Sequence, residues 1–145
     1  MEKSPNPASS LVRIDRLDTP QKEDLRKLYS QGRWTQGREA ADIETMRRYS
    51  DIIVALCRRD SRKLVAFARA LTDRVYKAFL FDVIVEEAYR GTGLGRVLLD
   101  AAVNHPVLLN VRHIELYCRP ELVPFYARWG FEVKRGDLCF MRLAR

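Results

Sequence analysis

The chain has 145 residues, 47% hydrophobic and 10% aromatic, with a formal net charge of +7. That length fits one domain of about 100–200 residues with its own core, and the apolar share excludes a disordered chain. No apolar run approaches the roughly 20 residues needed to span a bilayer, and residues 1–10 lack the apolar middle of a secretory signal, so a cytoplasmic protein without membrane contact is expected.

Residues 1–10, with Pro5, Pro7 and three serines, read as a flexible tail, and residues 11–145 as a single domain. A first strand covers 11–17. Thr19 and Pro20 read as N-cap and first position of a helix reaching about Ser30, with Leu25, Leu28 and Tyr29 on its apolar side. Residues 31–37 break the pattern with Gly32 and Gly37, and a second helix runs from Arg38 to about Tyr49. Two β-rich runs, 52–57 and 64–71, flank the polar 58–63 as a hairpin, and a third, 76–85, extends it after a turn at 72–74.

Leu94, Val97, Leu98, Ala101 and Ala102 then fall on one face of a helix that must end near His105 and Pro106. A strand at 114–118, a short helix at 120–129 closed by Gly130, and a final hairpin around Gly136 and Asp137 complete the chain. The order implies an α/β layer fold around a mixed, mostly antiparallel sheet.

Cys57, Cys118 and Cys139 lie far apart, each in a run read as a strand, and no pair has metal-ligand spacing. They read as small apolar side chains in a reducing compartment, and no metal is expected. Twenty arginines and six lysines carry the positive charge, yet they are scattered. Without a long basic run or aromatic-interleaved basic motif, nucleic acid is not the expected partner; a phosphorylated small ligand satisfies the charge.

The segment richest in chemistry is Arg90-Gly91-Thr92-Gly93-Leu94-Gly95, which follows a strand and opens a helix. Glycines let the backbone adopt conformations closed to other residues and let a ligand approach main-chain N–H groups. At a helix start those groups lack partners and sit at the positive end of the dipole, which suits a pyrophosphate. Arg90 and Arg96 add fixed charge. A P-loop would require Lys and Ser/Thr after the last glycine, and Arg96 stands there instead; the glycine spacing also differs from a dinucleotide fingerprint. The plain alternative is a glycine-rich turn that merely starts a helix.

Arg90-x-x-Gly93-x-Gly95 after Val83-Ile84-Val85 resembles the Arg/Gln-x-x-Gly-x-Gly/Ala signature of the GNAT-type N-acetyltransferases. Downstream, Phe125-Tyr126-Ala127-Arg128-Trp129-Gly130-Phe131 is similar to the Leu/Phe-Tyr-x-x-x-Gly-Phe element of the same superfamily. The ordered pair and the strand order extend the resemblance over roughly residues 11–143, and the Asp82-x-x-Val85 strand, Arg90 loop and His105-Pro106 pair resemble a subgroup of small bacterial members of unassigned substrate.

The resemblance implies a sheet with a splayed centre flanked by about four helices, and acetyl-coenzyme A as cosubstrate. Main-chain groups of a bulge among Val83, Ile84 and Val85 would bind the pantetheine arm and polarise the thioester carbonyl. Residues 91–96 (Gly91, Thr92, Gly93, Leu94, Gly95 and Arg96) would hold the diphosphate. Tyr126 matches the tyrosine that protonates the departing thiolate; without the resemblance it reads as a core tyrosine beside Phe125 and Phe131. The family often carries an Asn seven residues before this Tyr. Arg119 stands there, where it would reach a phosphate or the pantetheine amide, and Pro124 makes the short helix irregular.

Attack requires a neutral amine, and a general base would remove the ammonium proton. Asp82, the one acid within residues 79–85, ranks first and Glu115 next, although Asp82 equally suits an ion pair with an arginine. Glu86 and Glu87 come after them. Trp34, with Tyr29 and Arg38, either walls an acceptor pocket or fills the core. The expected activity is acetyl transfer to a primary amine, of a small molecule or a peptide; a non-catalytic coenzyme A-binding module is the alternative. A homodimer stays open.

Overall fold

Strand pairing along the chain builds the centre of the molecule, for which the computed structural model describes residues 10–134 and 136–145. Strands β1 (Leu11–Ile14), β2 (Ile52–Arg58), β3 (Leu64–Thr72) and β4 (Lys77–Val85) pair antiparallel in succession. Strand β5 (His113–Glu115) joins β4 in parallel, giving the sheet order β1-β2-β3-β4-β5. Helices α1 (Thr19–Gln31) and α2 (Ala40–Arg48) precede β2, α3 (Leu94–Val103) follows β4, and α4 (Val123–Ala127) follows β5. The expected mixed sheet flanked by four helices is thus present.

Each face of the sheet has its own apolar cluster. On one, Ile52, Val54, Leu56, Ala66, Ala68, Ala70, Ala78 and Leu80 meet Leu94, Leu98, Leu99 and Ala102 of α3. Four of the sheet positions are alanines at most 1% exposed, and such short side chains bring α3 close to the strands. On the other face, Ala55, Leu64, Phe67 and Ile84 meet Leu25, Leu28 and Tyr29 of α1 and Ile43 of α2. Burying a leucine as fully as Leu25 or Leu98 stabilises the fold by about 2 kcal/mol.

Several expected boundaries move for identifiable reasons. Asp18, not Thr19, caps α1: its carboxylate accepts the Gln21 N–H at 2.9 Å while Gln21 Oε1 accepts the Asp18 N–H at 3.0 Å. Gln21 also donates to the Arg62 carbonyl at 2.8 Å, fastening the helix start to the β2–β3 hairpin. Helix α2 begins at Ala40, so Arg38 stays in the loop and its side chain is free to turn inward.

The expected strand at 114–118 keeps its ladder only at His113–Glu115. Residues 131–134 and 136–145 form no strand among the described residues, so the expected final hairpin is not observed. A strand exists only within a ladder, and β5 pairs with β4 over three positions alone. Cys118 and Cys139 accordingly lie outside strands; Cys57 is buried in β2, where burial raises its thiol pKa. The expected tail lies outside the described residues apart from Ser10. Among the described residues no helix is long and apolar enough to cross a membrane.

Removing the cap by Asp18→Ala leaves helix N–H groups unsatisfied and is expected to lower stability by about 1 kcal/mol. A thermal melt should show this as a drop of roughly 3 °C in midpoint.

Candidate active site

The ladder between β4 and β5 holds only from Lys77 opposite His113 to Phe79 opposite Glu115. Beyond Phe79 the outer edge of β4 has no strand neighbour among the described residues, and the two strands splay. At the end of β4, Glu86 donates its N–H to the Val65 carbonyl at 2.8 Å. Ala66 and Val85 therefore face each other as a non-hydrogen-bonded pair. The N–H and carbonyl of Val85 point instead to the open edge, where Arg90 Nε donates to that carbonyl at 3.2 Å.

A bulge interrupts β4 within this open stretch. Phe81 opposes Arg69 and Ile84 opposes Phe67, so Asp82 and Val83 together face the single Ala68. Asp82 is left-handed at φ +55°, a conformation that costs an L-residue about 1 kcal/mol or more and that Asp tolerates better than most. The extra residue reverses the alternation of the strand. Ala78 and Leu80 point to the α3 side, Ile84 points to the α1 side, and Val83 and Val85 pack against the α3 cluster. The bulge expected at Val83, Ile84 and Val85 begins one residue earlier.

Four polar groups hold Asp82 in place. Arg38 grips it with both terminal nitrogens (Nη1 to Oδ2 at 2.8 Å, Nη2 to Oδ1 at 3.2 Å), Arg69 Nε donates to Oδ2 at 2.8 Å, and the Tyr29 hydroxyl lies 3.2 Å from Oδ2. The Asp82 side chain is 8% exposed. Burial alone would raise its pKa, but the hydrogen bonds from Arg38 and then Arg69 outweigh that and hold it below the usual carboxylate range. A carboxylate so stabilised in its charged form is a weak proton acceptor. The ion-pair role, rather than the base role ranked first from sequence, is the one the geometry supports.

The glycine loop follows a single 3₁₀ turn at Glu87–Tyr89. Gly91 and Gly93 have φ of +78° and +88°, and Gly93 caps α3 without any side-chain hydrogen bond. The first intrahelical bond from a later residue is Val97 N–H to the Gly93 carbonyl at 3.4 Å. The N–H groups of Leu94, Gly95 and Arg96 therefore form the bare positive end of a ten-residue helix.

A Cβ on Gly95 would lie 3.3 Å from the Phe125 ring. The missing side chain thus lets α4 approach the loop, and Trp129 Nε1 donates to Asp100 Oδ1 at 2.7 Å to hold it there. Tyr126 is thereby fixed edge-on between Phe125 and Phe131, 8% exposed, and its hydroxyl makes no hydrogen bond among the described residues. Burial, with a smaller contribution from Cys118, pushes its pKa up to about 12. The phenol therefore stays protonated throughout the neutral range.

The remaining expected residues separate. Glu115 is half-exposed on β5 and pairs with Lys77, away from the bulge. Tyr29 is core, 1% exposed, and only its hydroxyl reaches the site. Trp34 is 69% exposed, which removes the core-filling alternative. The Arg119 guanidinium lies 5.7 Å from the Trp34 ring centroid and pairs with Glu121 at 3.0 Å. Through this contact the α1–α2 loop meets the segment after β5, across the splay. Arg69 was missed from sequence, although a lone charge inside the apolar run 64–71 was its signal.

The sequence profile of the acetyltransferase (GNAT) family matches residues 14–131. A GNAT-family protein of known structure from Xanthomonas campestris pv. campestris superposes with a TM-score of 0.74 at 27% identity, covering 86% of this chain and 85% of that one. GCN5-related N-acetyltransferase 1, chloroplastic, of Arabidopsis thaliana is 31% identical over 94 residues, 65% of this chain and 48% of the relative. Serotonin N-acetyltransferase 2, chloroplastic, of Oryza sativa subsp. japonica is 43% identical over 67 residues, 46% of this chain and 34% of the relative. The chain spans between 29% and 63% of the length of these and similar curated relatives. The chain belongs to the GNAT acetyltransferase family.

Asp82→Asn keeps a residue that tolerates the left-handed backbone but removes the counter-charge of two partly buried arginines. It is expected to lower stability by roughly 2–4 kcal/mol. Because Asp82 has a depressed pKa, its contribution is present above the unfolded carboxylate pKa and lost as pH falls through the folded one. Denaturant unfolding of wild type and variant should therefore converge in acid. The acidic limb of the kcat/KM profile should survive in the variant; its disappearance would mark Asp82 as the base.

Proposed function

We propose that this chain transfers the acetyl group of acetyl-coenzyme A to a primary amine by direct attack. The observation that carries this reading is the open, bulged edge of β4, with the bare N-terminus of α3 following it in the chain and the helix that bears Tyr126 packed against that terminus through Gly95 and Phe125. We read these as an anion seat, a set of main-chain donors and a protonated hydrogen-bond donor, contributed by separate elements.

In this reading the N–H groups of Gly91, Thr92, Gly93, Leu94, Gly95 and Arg96 hold the diphosphate, with Arg90 and Arg96 adding charge. The pantetheine arm extends β4 through the outward N–H and carbonyl of Val85, in the manner of an added strand. Main-chain donors among Val83, Ile84 and Val85 polarise the thioester carbonyl and stabilise the oxyanion that forms on attack. The amine nitrogen bonds to the carbonyl carbon, the tetrahedral adduct collapses, the C–S bond breaks, and the ammonium proton leaves to solvent.

Tyr126 faces the sulfur. With a pKa about 12 against about 8.5 for an ordinary thiol, full proton transfer to the thiolate runs uphill. Its contribution is a hydrogen bond to the developing charge, the proton following as the product leaves. Arg119, placed where relatives of this type often have Asn, contacts the cosubstrate from the β5 side. Trp34, Arg38 and the Tyr29 hydroxyl border the acceptor side of the cleft. The site asks for no metal, and a reducing aqueous compartment such as the cytoplasm suits the free thiols.

Thiol release from acetyl-coenzyme A over a panel of primary amines tests the activity. Tyr126→Phe is expected to reduce kcat by about 10²-fold or more with little change in the affinity for coenzyme A. Turnover undiminished in this variant would remove Tyr126 from the chemistry. A wild-type protein that binds coenzyme A yet acetylates no amine would instead establish a sensor or partner module.

Gly93→Asp places a side chain on a left-handed backbone and a carboxylate at the anion seat. Calorimetric titration should show coenzyme A affinity reduced at least about tenfold.

A further inference from the structure

We propose that the acceptor amine carries an anionic group, a carboxylate or phosphate, recognised by Arg38 and Arg69 beside the bulge. This rests on the acetyltransferase reading above and specifies the acceptor half of the same site.

Two guanidiniums share one carboxylate there, which leaves one formal positive charge without a counter-charge. Arg69 is 11% exposed and Arg38 31%. Among the described residues no acid other than Asp82 pairs with either arginine: Glu44 of α2 pairs with Arg47 and Lys22, Glu86 after β4 with Lys63, Glu115 of β5 with Lys77 and Glu121 before α4 with Arg119, while Glu39 and Asp42 make no ion pair. A partly buried positive charge of this kind is stabilised when an anion completes it.

Arg69 uses only its Nε on Asp82, and its two terminal nitrogens make no hydrogen bond among the described residues. Those nitrogens belong to a planar fork whose spacing fits the two oxygens of a carboxylate or phosphate. The guanidinium is oriented by the Phe81 ring, 4.6 Å below it. Phe81 continues into Phe79 and Tyr117 at centroid separations of 4.6 and 4.4 Å, an aromatic surface on which the body of an acceptor can lie. The arginines thus stand where the face covered by α1 and α2 gives way to solvent, next to the thioester donors.

The same charge acts on the reacting nitrogen. A positive potential disfavours the ammonium form, so it increases the neutral fraction of the amine without a dedicated carboxylate base. That is consistent with Asp82 being fully engaged and Glu115 lying outside. It also disfavours any acceptor with a second ammonium, which places diamines and lysine-rich peptides among the poorest acceptors.

Matched acceptors separate this proposal from the one beneath it: phosphoethanolamine against ethanolamine, β-alanine against β-alaninamide, and cadaverine as a diamine. The anionic member of each pair is expected to show a kcat/KM higher by at least about tenfold, the scale of one charge-assisted hydrogen bond. Added salt should shrink that ratio. Arg38→Met should bring it close to one and Arg38→Lys should retain part of it. A ratio measured within one variant is insensitive to loss of folded protein. Equal or better use of the neutral amines or of cadaverine, or a ratio unchanged in Arg38→Met, overturns the proposal. If no amine turns over, titration of the coenzyme A-loaded protein with phosphoethanolamine and ethanolamine decides. Preferential binding of the former retains the anion site while the acetyltransferase reading falls, and equal or absent binding removes both.

Discussion

The left-handed Asp82, clamped by Arg38 and Arg69, is the constraint on which the site depends. An extra residue in a strand must either break the ladder or rotate everything after it. Here it rotates: the residues before Asp82 and those after it contribute to the same two cores with opposite parity. A continuous pleat through residue 82 would turn Ile84 away from Tyr29 and Leu25, and Val83 and Val85 away from α3. The backbone strain of one aspartate is offset by the burial of Ile84, worth about 2 kcal/mol, with the partly buried Val83 and Val85 adding to it. The ion pairs fix where that strain falls.

Positive charge is distributed over this scaffold with two different purposes. At the loop it reinforces a helix terminus, with Arg90 and Arg96 beside N–H groups that no side chain caps. At the bulge it over-compensates a buried carboxylate. The first arrangement is open to solvent and screened, the second sheltered by α1 and the Phe81 ring. Coulombic effects therefore weigh more per charge at the bulge. A formal net charge of +7 reads as a general affinity for anions only until its members are placed.

Much of the fold was legible because the apolar pattern of the chain is regular. The runs 52–57, 64–71 and 76–85 became β2, β3 and β4, and the period of Leu94, Leu98 and Ala102 marked the face of α3. The start of α3 was legible for a different reason: the glycines stand directly before the helical period, and Gly93 takes the positive φ of its cap. The misreadings come from tertiary contacts. The cap of α1 is the exception, since Asp18 and Gln21 stand three residues apart as a capping box that was readable in the sequence. Asp82 looked like a base because its two arginines are 44 and 13 residues away in sequence. The alternating residues after Phe131 promised a hairpin, but β5 ends its ladder at Glu115. The bulge was expected through the family resemblance alone, at Val83, Ile84 and Val85, and begins at Asp82 because the residue that takes the left-handed backbone is the one the arginines hold.

Gly95 ties the glycine loop to α4. Its lack of a side chain admits the Phe125 ring at 3.3 Å from where a Cβ would stand, and Phe125 in turn packs against Tyr126 at 5.1 Å. A larger residue would push α4 outward, moving the phenol relative to the β4 edge while leaving the helix start itself intact. The loop and the tyrosine are therefore not independent motifs that happen to lie thirty residues apart. The last glycine of the loop is also the floor against which Phe125, and through it Tyr126, rests, so the position of the phenol relative to the start of α3 is set by one close contact between α3 and α4.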